Sequence, residues 1–170
     1  MISTKTEWGE EQNIPWDEYF DLRFKEAIKT TKKFIQKLGA EQVYEILDEL
    51  SYSEGVKDGK AVVMNKKSLT SLSDFSKVFK EAFLNDPLFK TALDVEIIED
   101  SQRSFRLKVK KCLWAYTFNE NEAADIGYHM ICNGDYGIAE GISPNLKLVR
   151  PQTLMRGKTF CDFQYTWEDS

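Results

Sequence analysis

Apolar residues along this chain keep two rhythms, and the change from one to the other comes near residue 90. From Trp16 to Leu38 the apolar positions Tyr19, Phe24, Ile28, Phe34, Ile35 and Leu38 recur at helical spacing. Pro15 suits a first helical turn and Gly39 a C-terminal stop. Val43, Ile46, Leu47 and Leu50 predict one face of a second helix. Ser51 to Lys60, with Gly55 and Gly59 and no periodic pattern, reads as a loop. Leu72 to Leu84 predicts a third helix burying Phe75, Phe79 and Phe83. Asn85-Asp86-Pro87 ends it, since proline disfavours helix in the residue before it.

Beyond that point the period is two. Leu93, Val95 and Ile97 alternate with polar residues, as do Phe105, Leu107 and Val109. Glu99-Asp100-Ser101-Gln102 reads as the turn between them, which predicts an antiparallel hairpin. Asn119, with Glu122 three residues on, suggests the capped start of a fourth helix running to about Cys132, interrupted near Gly134 or Gly137. Strands over roughly 146–154 and 158–167 close the chain, turning at Arg156-Gly157. The resulting fold class is α+β: N-terminal helices packed on a four-stranded antiparallel sheet, with one inserted helix.

Composition narrows the function classes. A chain of 170 residues, 42% hydrophobic and rich in aromatics, fits one packed domain. The mainly helical part is 1–90, and 91–170 is the mixed part. The net charge of −5 speaks against nucleic acid as a partner. The basic stretch from Arg106 to Lys111 alternates with apolar residues, as the wet face of a half-buried strand does. No apolar run approaches the ~18 residues needed to span a bilayer, so no membrane partner is expected. The polar, acidic segment from Met1 to Glu18 lacks a signal-peptide core, which points to the cytoplasm. Three cysteines are an odd number without disulfide spacing, so reduced thiols are expected. Oligomeric state is left open.

Reactive side chains crowd the second half. Cys112, the lone histidine His129, Cys132 and Cys161 fall within fifty residues of one another. On a regular helix Glu122, Asp125, His129 and Cys132 would share one stripe, with Ala123, Ile126 and Met130 on the next. Each has a plainer reading: cysteines between aromatics pack as small hydrophobes, and acids on a helix face are solvated. A zinc site from the three cysteines and His129 is disfavoured because no close cysteine pair supplies a knuckle, and no metal or other cofactor is expected.

Three segments read together carry more. They are Cys132-Asn133-Gly134-Asp135, then Gly141-Ile142-Ser143-Pro144-Asn145-Leu146, then Thr153-Leu154 through Gly157 to Cys161-Asp162-Phe163. In this order and spacing they resemble the L-2-amino-thiazoline-4-carboxylic acid hydrolase family, over roughly residues 105–167. Cys112 resembles the upstream family cysteine, and Asn133 departs from the acidic residue many relatives carry there. The last hairpin is also similar to that of vinyl-reductase-type ligand-binding domains.

The resemblance implies hydrolytic ring opening of a small cyclic amidine-like carboxylic acid. Cys132, Asp135 and His129 would be the catalytic set, by a thiolate or by activated water. Cys112, Cys161 and Arg150 would bind substrate, Arg150 or Arg156 holding its carboxylate. The pocket would be framed by Cys112, His129, Cys132, Asp135 and Cys161. The alternative is a non-catalytic small-molecule-binding, sensor-like domain using the same cysteine-lined pocket.

Overall fold

Two long helices, α1 (Trp16–Leu38) and α2 (Ala40–Val63), meet at Gly39, whose φ of 92° reverses the chain. They belong to a computed structural model that describes residues 2–5, 11–64 and 69–168. A short antiparallel pair, β1 (Ile2–Lys5) and β2 (Glu11–Ile14), precedes them. On α1, Phe20 and Ile28 face inward while Phe34 and Leu38 are exposed.

The expected loop at 51–60 is helix. α2 runs unbroken through it, and Gly55 and Gly59 are buried there. They are glycines because another helix, α7 (Gly134–Ile142), lies directly on them. A Cβ on Gly55 would stand 2.2 Å from Gly134 O, and one on Gly59 2.2 Å from Ile138 O. The face expected from Val43, Ile46, Leu47 and Leu50 is half right: Val43 is buried, but Ile46 and Leu50 are exposed.

After α3 (Leu72–Ala82), Pro87 begins a helix as well as ending one. Asp86 caps α4 (Pro87–Ala92) by accepting from Leu88 N at 2.8 Å and Phe89 N at 3.1 Å. β3 (Leu93–Asp100) then pairs antiparallel with β4 (Phe105–Cys112), with the turn shifted to 101–104. On β4, Phe105, Leu107 and Val109 are buried between partly buried or exposed basic residues, as the alternation predicted. β6 (Cys161–Trp167) pairs antiparallel with β4, and β5 (Leu146–Val149) with β6. The sheet order is β3-β4-β6-β5. A 3-10 turn at Leu154–Arg156 and Gly157, at φ 71°, link the last two strands.

The expected start of the inserted helix at Asn119 is displaced. β4 feeds directly into α5 (Leu113–Glu120), capped by Cys112, whose sulfur accepts from Ala115 N at 3.5 Å. Asn119 lies in the last turn, and Glu122 sits outside any helix at φ 50°. Burial of Ala115 and Phe118 beside Ile28 of α1 draws the helix forward. α6 (Ala124–Gly127), a π turn over Tyr128–Cys132 and α7 complete the insertion. Two cores result. Phe75, Leu107, Ile142 and Tyr165 join α3 and α7 to the sheet, while Ile28, Phe118, Ile126 and Met155 fill the space beneath α1.

Candidate functional site

The residues singled out from sequence stand at element junctions. Cys112 ends β4, Cys132 closes the π turn, Asp135 lies in the first turn of α7, Arg150 follows β5, and Cys161 opens β6. Arg150 ties several of them together. Its Nη1 donates to Asp135 Oδ2 in an ion pair, and its Nη2 donates to Cys132 O at 2.9 Å. The guanidinium carbon lies 5.2 Å from the Phe163 ring, 5.3 Å from Tyr136 and 5.8 Å from Tyr128. Arg150 Nε is buried with no hydrogen-bond partner among the described residues.

Thr153 holds the thiols. Its Oγ1 lies 3.5 Å from Cys161 Sγ and 3.9 Å from Cys132 Sγ, so one hydroxyl stands between the two sulfurs. Cys161 Sγ also accepts from Leu154 N at 3.3 Å. All three cysteines are free. Among the described residues no group of three or more His, Cys, Asp and Glu is arranged to hold a metal.

The electrostatics keep Cys112 and Cys132 protonated. Burial pushes both Cys112 and Cys132 up to about 12. At Cys132 the Arg150 charge works against that rise and Asp135 adds to it. Asp135 is pushed above the ordinary carboxylate range by desolvation, with Arg150 pulling it back. Arg150 is pulled down by burial, but Asp135 outweighs that and raises it. A third of the Asp135 side chain (33%) stays accessible while Arg150 keeps 1%, although burial still acts on the Asp135 carboxyl.

His129 stands apart from this centre. The stripe expected of a regular helix is broken by the π turn, in which Asn133 N donates to Tyr128 O, five residues back. Cys132 therefore faces Thr153 while His129 faces α2. Its Nδ1 lies 2.9 Å from Asp48 Oδ1, and its ring stacks on Tyr44 at 4.3 Å. Ser51 Oγ donates to His129 O at 2.8 Å. Sequence reasoning missed Asp48, which carries no motif, and Thr153, which lay inside a quoted motif but was given no role.

A groove of about 690 Å³ opens where α4 meets β3 and β4 meets α5. Lys90, Asp94, Lys111, Cys112, Tyr116 and Leu154 are among its lining residues. Of the six expected site residues, only Cys112 lines it. Cys132, Asp135, Arg150 and Cys161 form the network behind Thr153 and Leu154.

A family model described as L-2-amino-thiazoline-4-carboxylic acid hydrolase matches residues 19–165. The chain belongs to this family. Membership in the thiazoline-carboxylate hydrolase family thus takes in α1 and α2, well beyond the C-terminal motifs. No curated protein matches the chain by sequence. Among solved structures, one similar fold is the phenol-responsive sensory domain of the transcription activator PoxR with phenol. Its identity is 9% and its TM-score 0.55, over 93% of this chain and 77% of that one. Another is trafficking protein particle complex subunit 3 from Naegleria fowleri, covalently bound to palmitic acid, at 10% identity and TM-score 0.52. It covers 90% of this chain and 95% of that one. At such identities the likeness is one of fold. No described helix is long and apolar enough to cross a membrane.

Proposed function

We propose that the protein opens the ring of a small cyclic amidine-like carboxylic acid, such as 2-amino-thiazoline-4-carboxylate, by hydrolysis with water as the attacking group. Family membership supports the reaction class. The observation that carries the choice of water is the pairing of the Asp135 carboxylate with buried Arg150, beside Cys112 and Cys132 thiols held protonated. Water adds to the amidine carbon while Asp135 takes its proton. Collapse of the tetrahedral adduct breaks one ring bond, and the expelled heteroatom receives a proton back from Asp135. Arg150 fixes the carboxylate and stabilises its charged form. Cys132 and Cys161 wall the centre as small apolar groups, with Thr153 between them. His129, held by Asp48 and stacked on Tyr44, stands on the α2 side, away from these steps.

Incubation with 2-amino-thiazoline-4-carboxylate should yield a product heavier by one water, detected by mass spectrometry. Measured per folded molecule, with the folded fraction checked by circular dichroism, turnover should fall by about 10²–10⁴-fold in Asp135→Asn, whereas Cys132→Ala should change it far less. A Cys132→Ala loss as large as that of Asp135→Asn counts against activated water.

The sensor-like reading keeps one specific support, that neither Cys112 nor Cys132 is poised as a thiolate. Saturable binding without turnover across thiazoline carboxylates would establish it in place of hydrolysis.

A further inference from the structure

Arg150 is poorly placed to hold a substrate carboxylate, because its guanidinium is engaged by Asp135 and by Cys132 O and its side chain is 1% exposed. The groove in front of Leu154, which Arg150 does not line, carries charges of both signs. Lys90 stands in the last turn of α4, and Asp94 of β3 is the register partner of Lys111 of β4. Lys110 is taken by Glu96 at 2.5 Å and also feels the Asp94 charge, but among the described residues Lys90, Lys111 and Asp94 form no close ion pair. Between these charges the lining is apolar, from Ala92, Leu93, Leu113 and Leu154. Leu154 connects floor and thiols, since its backbone N donates to Cys161 Sγ, and Cys112 lines the groove itself.

A cyclic amidine holds a proton near neutral pH, so a cyclic amidine carboxylic acid is a zwitterion. Its two charges flank one small ring, and the groove lining carries charges of both signs.

We propose that this groove is a docking site, set apart from the Asp135 centre, that selects small cyclic zwitterions, Lys90 and Lys111 taking the carboxylate and Asp94 the amidinium over the floor of Leu93, Leu113 and Leu154. The substrate chemistry rests on the hydrolase reading above. The placement rests on the groove.

Calorimetric titration of the full chain at low salt separates the two. The probe is 2-iminoimidazolidine-4-carboxylate, a cyclic guanidinium carboxylate that resists hydrolysis. Cyclopentanecarboxylate lacks the cation and 2-iminoimidazolidine lacks the carboxylate. Each single-charge probe should bind roughly two- to fivefold more weakly than the zwitterion, the range expected of exposed charge pairs. Lys90→Ala and Lys111→Ala should each weaken the zwitterion and cyclopentanecarboxylate while sparing 2-iminoimidazolidine. Asp94→Asn should do the reverse, a split that loss of structure cannot produce. Amide shift changes should fall on residues 90–94 and 111–116.

Equal binding of the zwitterion by all three variants, no binding by wild-type protein, or shifts confined to Asp135 and Arg150 would each overturn the placement. Turnover unchanged in Lys90→Ala/Lys111→Ala overturns the groove and leaves the hydrolase reading standing. Charge-selective binding without turnover does the opposite.

Discussion

A guanidinium with 1% of its side chain exposed costs several kcal/mol to bury unless a counter-charge accompanies it, and Asp135 is that counter-charge for Arg150. From sequence, Asp135→Asn looks like a change that keeps shape and removes only charge. In the fold it also strands a buried cation whose Nε already lacks a partner. Asp135→Asn should therefore lower stability by about 3–5 kcal/mol. Arg150→Met should cost less, because the Asp135 carboxylate keeps its accessible third. Asp135→Asn/Arg150→Met should recover most of the loss, as removing both partners of a buried pair often does. Urea unfolding of the four proteins tests this, and additive losses in the double variant would show that the pair is not coupled. Spacing pointed to Cys132 and Asp135, and their motif was legible. That Arg150 reaches back to Asp135 was not, since it depends on how the chain after β5 passes α7.

At the scale of elements, the most consequential contact was hidden by the residues that make it. Gly55 and Gly59 look like helix breakers because glycine costs roughly 1 kcal/mol within a helix. Here their missing side chains let α2 and α7 touch backbone to backbone, answered by Gly137 and Gly141 on the other helix. A Cβ on Gly137 would stand 2.2 Å from Tyr52 O, and one on Gly141 2.2 Å from Val56 O. The four-residue spacing of each glycine pair was the available signal, and it carries weight only once a partner helix is known. Strand alternation needed no such knowledge, so β4 was legible with its inward residues, whereas α5 depended on α1 to form where it does. Alanine at Gly59 or Gly137 must displace backbone, a harder demand than moving a flexible side chain. Each should cost about 3 kcal/mol or more, at or beyond the usual upper end for overpacking. Gly39→Ala, where a Cβ meets nothing but the φ is 92°, should cost less, through backbone strain alone. Thermal denaturation by circular dichroism would rank them. A Gly59→Ala protein as stable as the parent would mean the two helices can separate without loss.

For the whole molecule, fold and chemistry carry different amounts of information. A sensory domain and a trafficking subunit share this architecture at 9% and 10% identity, so the arrangement of helices on a sheet does not choose between sensing and hydrolysis. What does belong to this chain is a set of thiols the fold keeps neutral, and that has a global consequence. Unfolded thiols give up their protons from about pH 9, whereas folding pushes Cys112 and Cys132 up to about 12. Between those limits the folded protein binds more protons than the unfolded one, so stability falls as pH rises. The contribution is complete below pH 9 and is lost progressively toward 12. Each fully coupled thiol steepens the fall by about 1.4 kcal/mol per pH unit. Burial also raises Tyr165, which adds to the loss at the alkaline end. Melting temperature under reducing conditions should thus be level from pH 7.5 to 8.5 and decline steadily from pH 9 to 11. Cys132→Ala should decline less steeply by about one proton, because Cys132 is a buried residue whose thiol is raised by burial. An unchanged slope in that variant, or a level profile up to pH 11, would show that the thiols ionise inside the fold and would return Cys132 to consideration as a nucleophile.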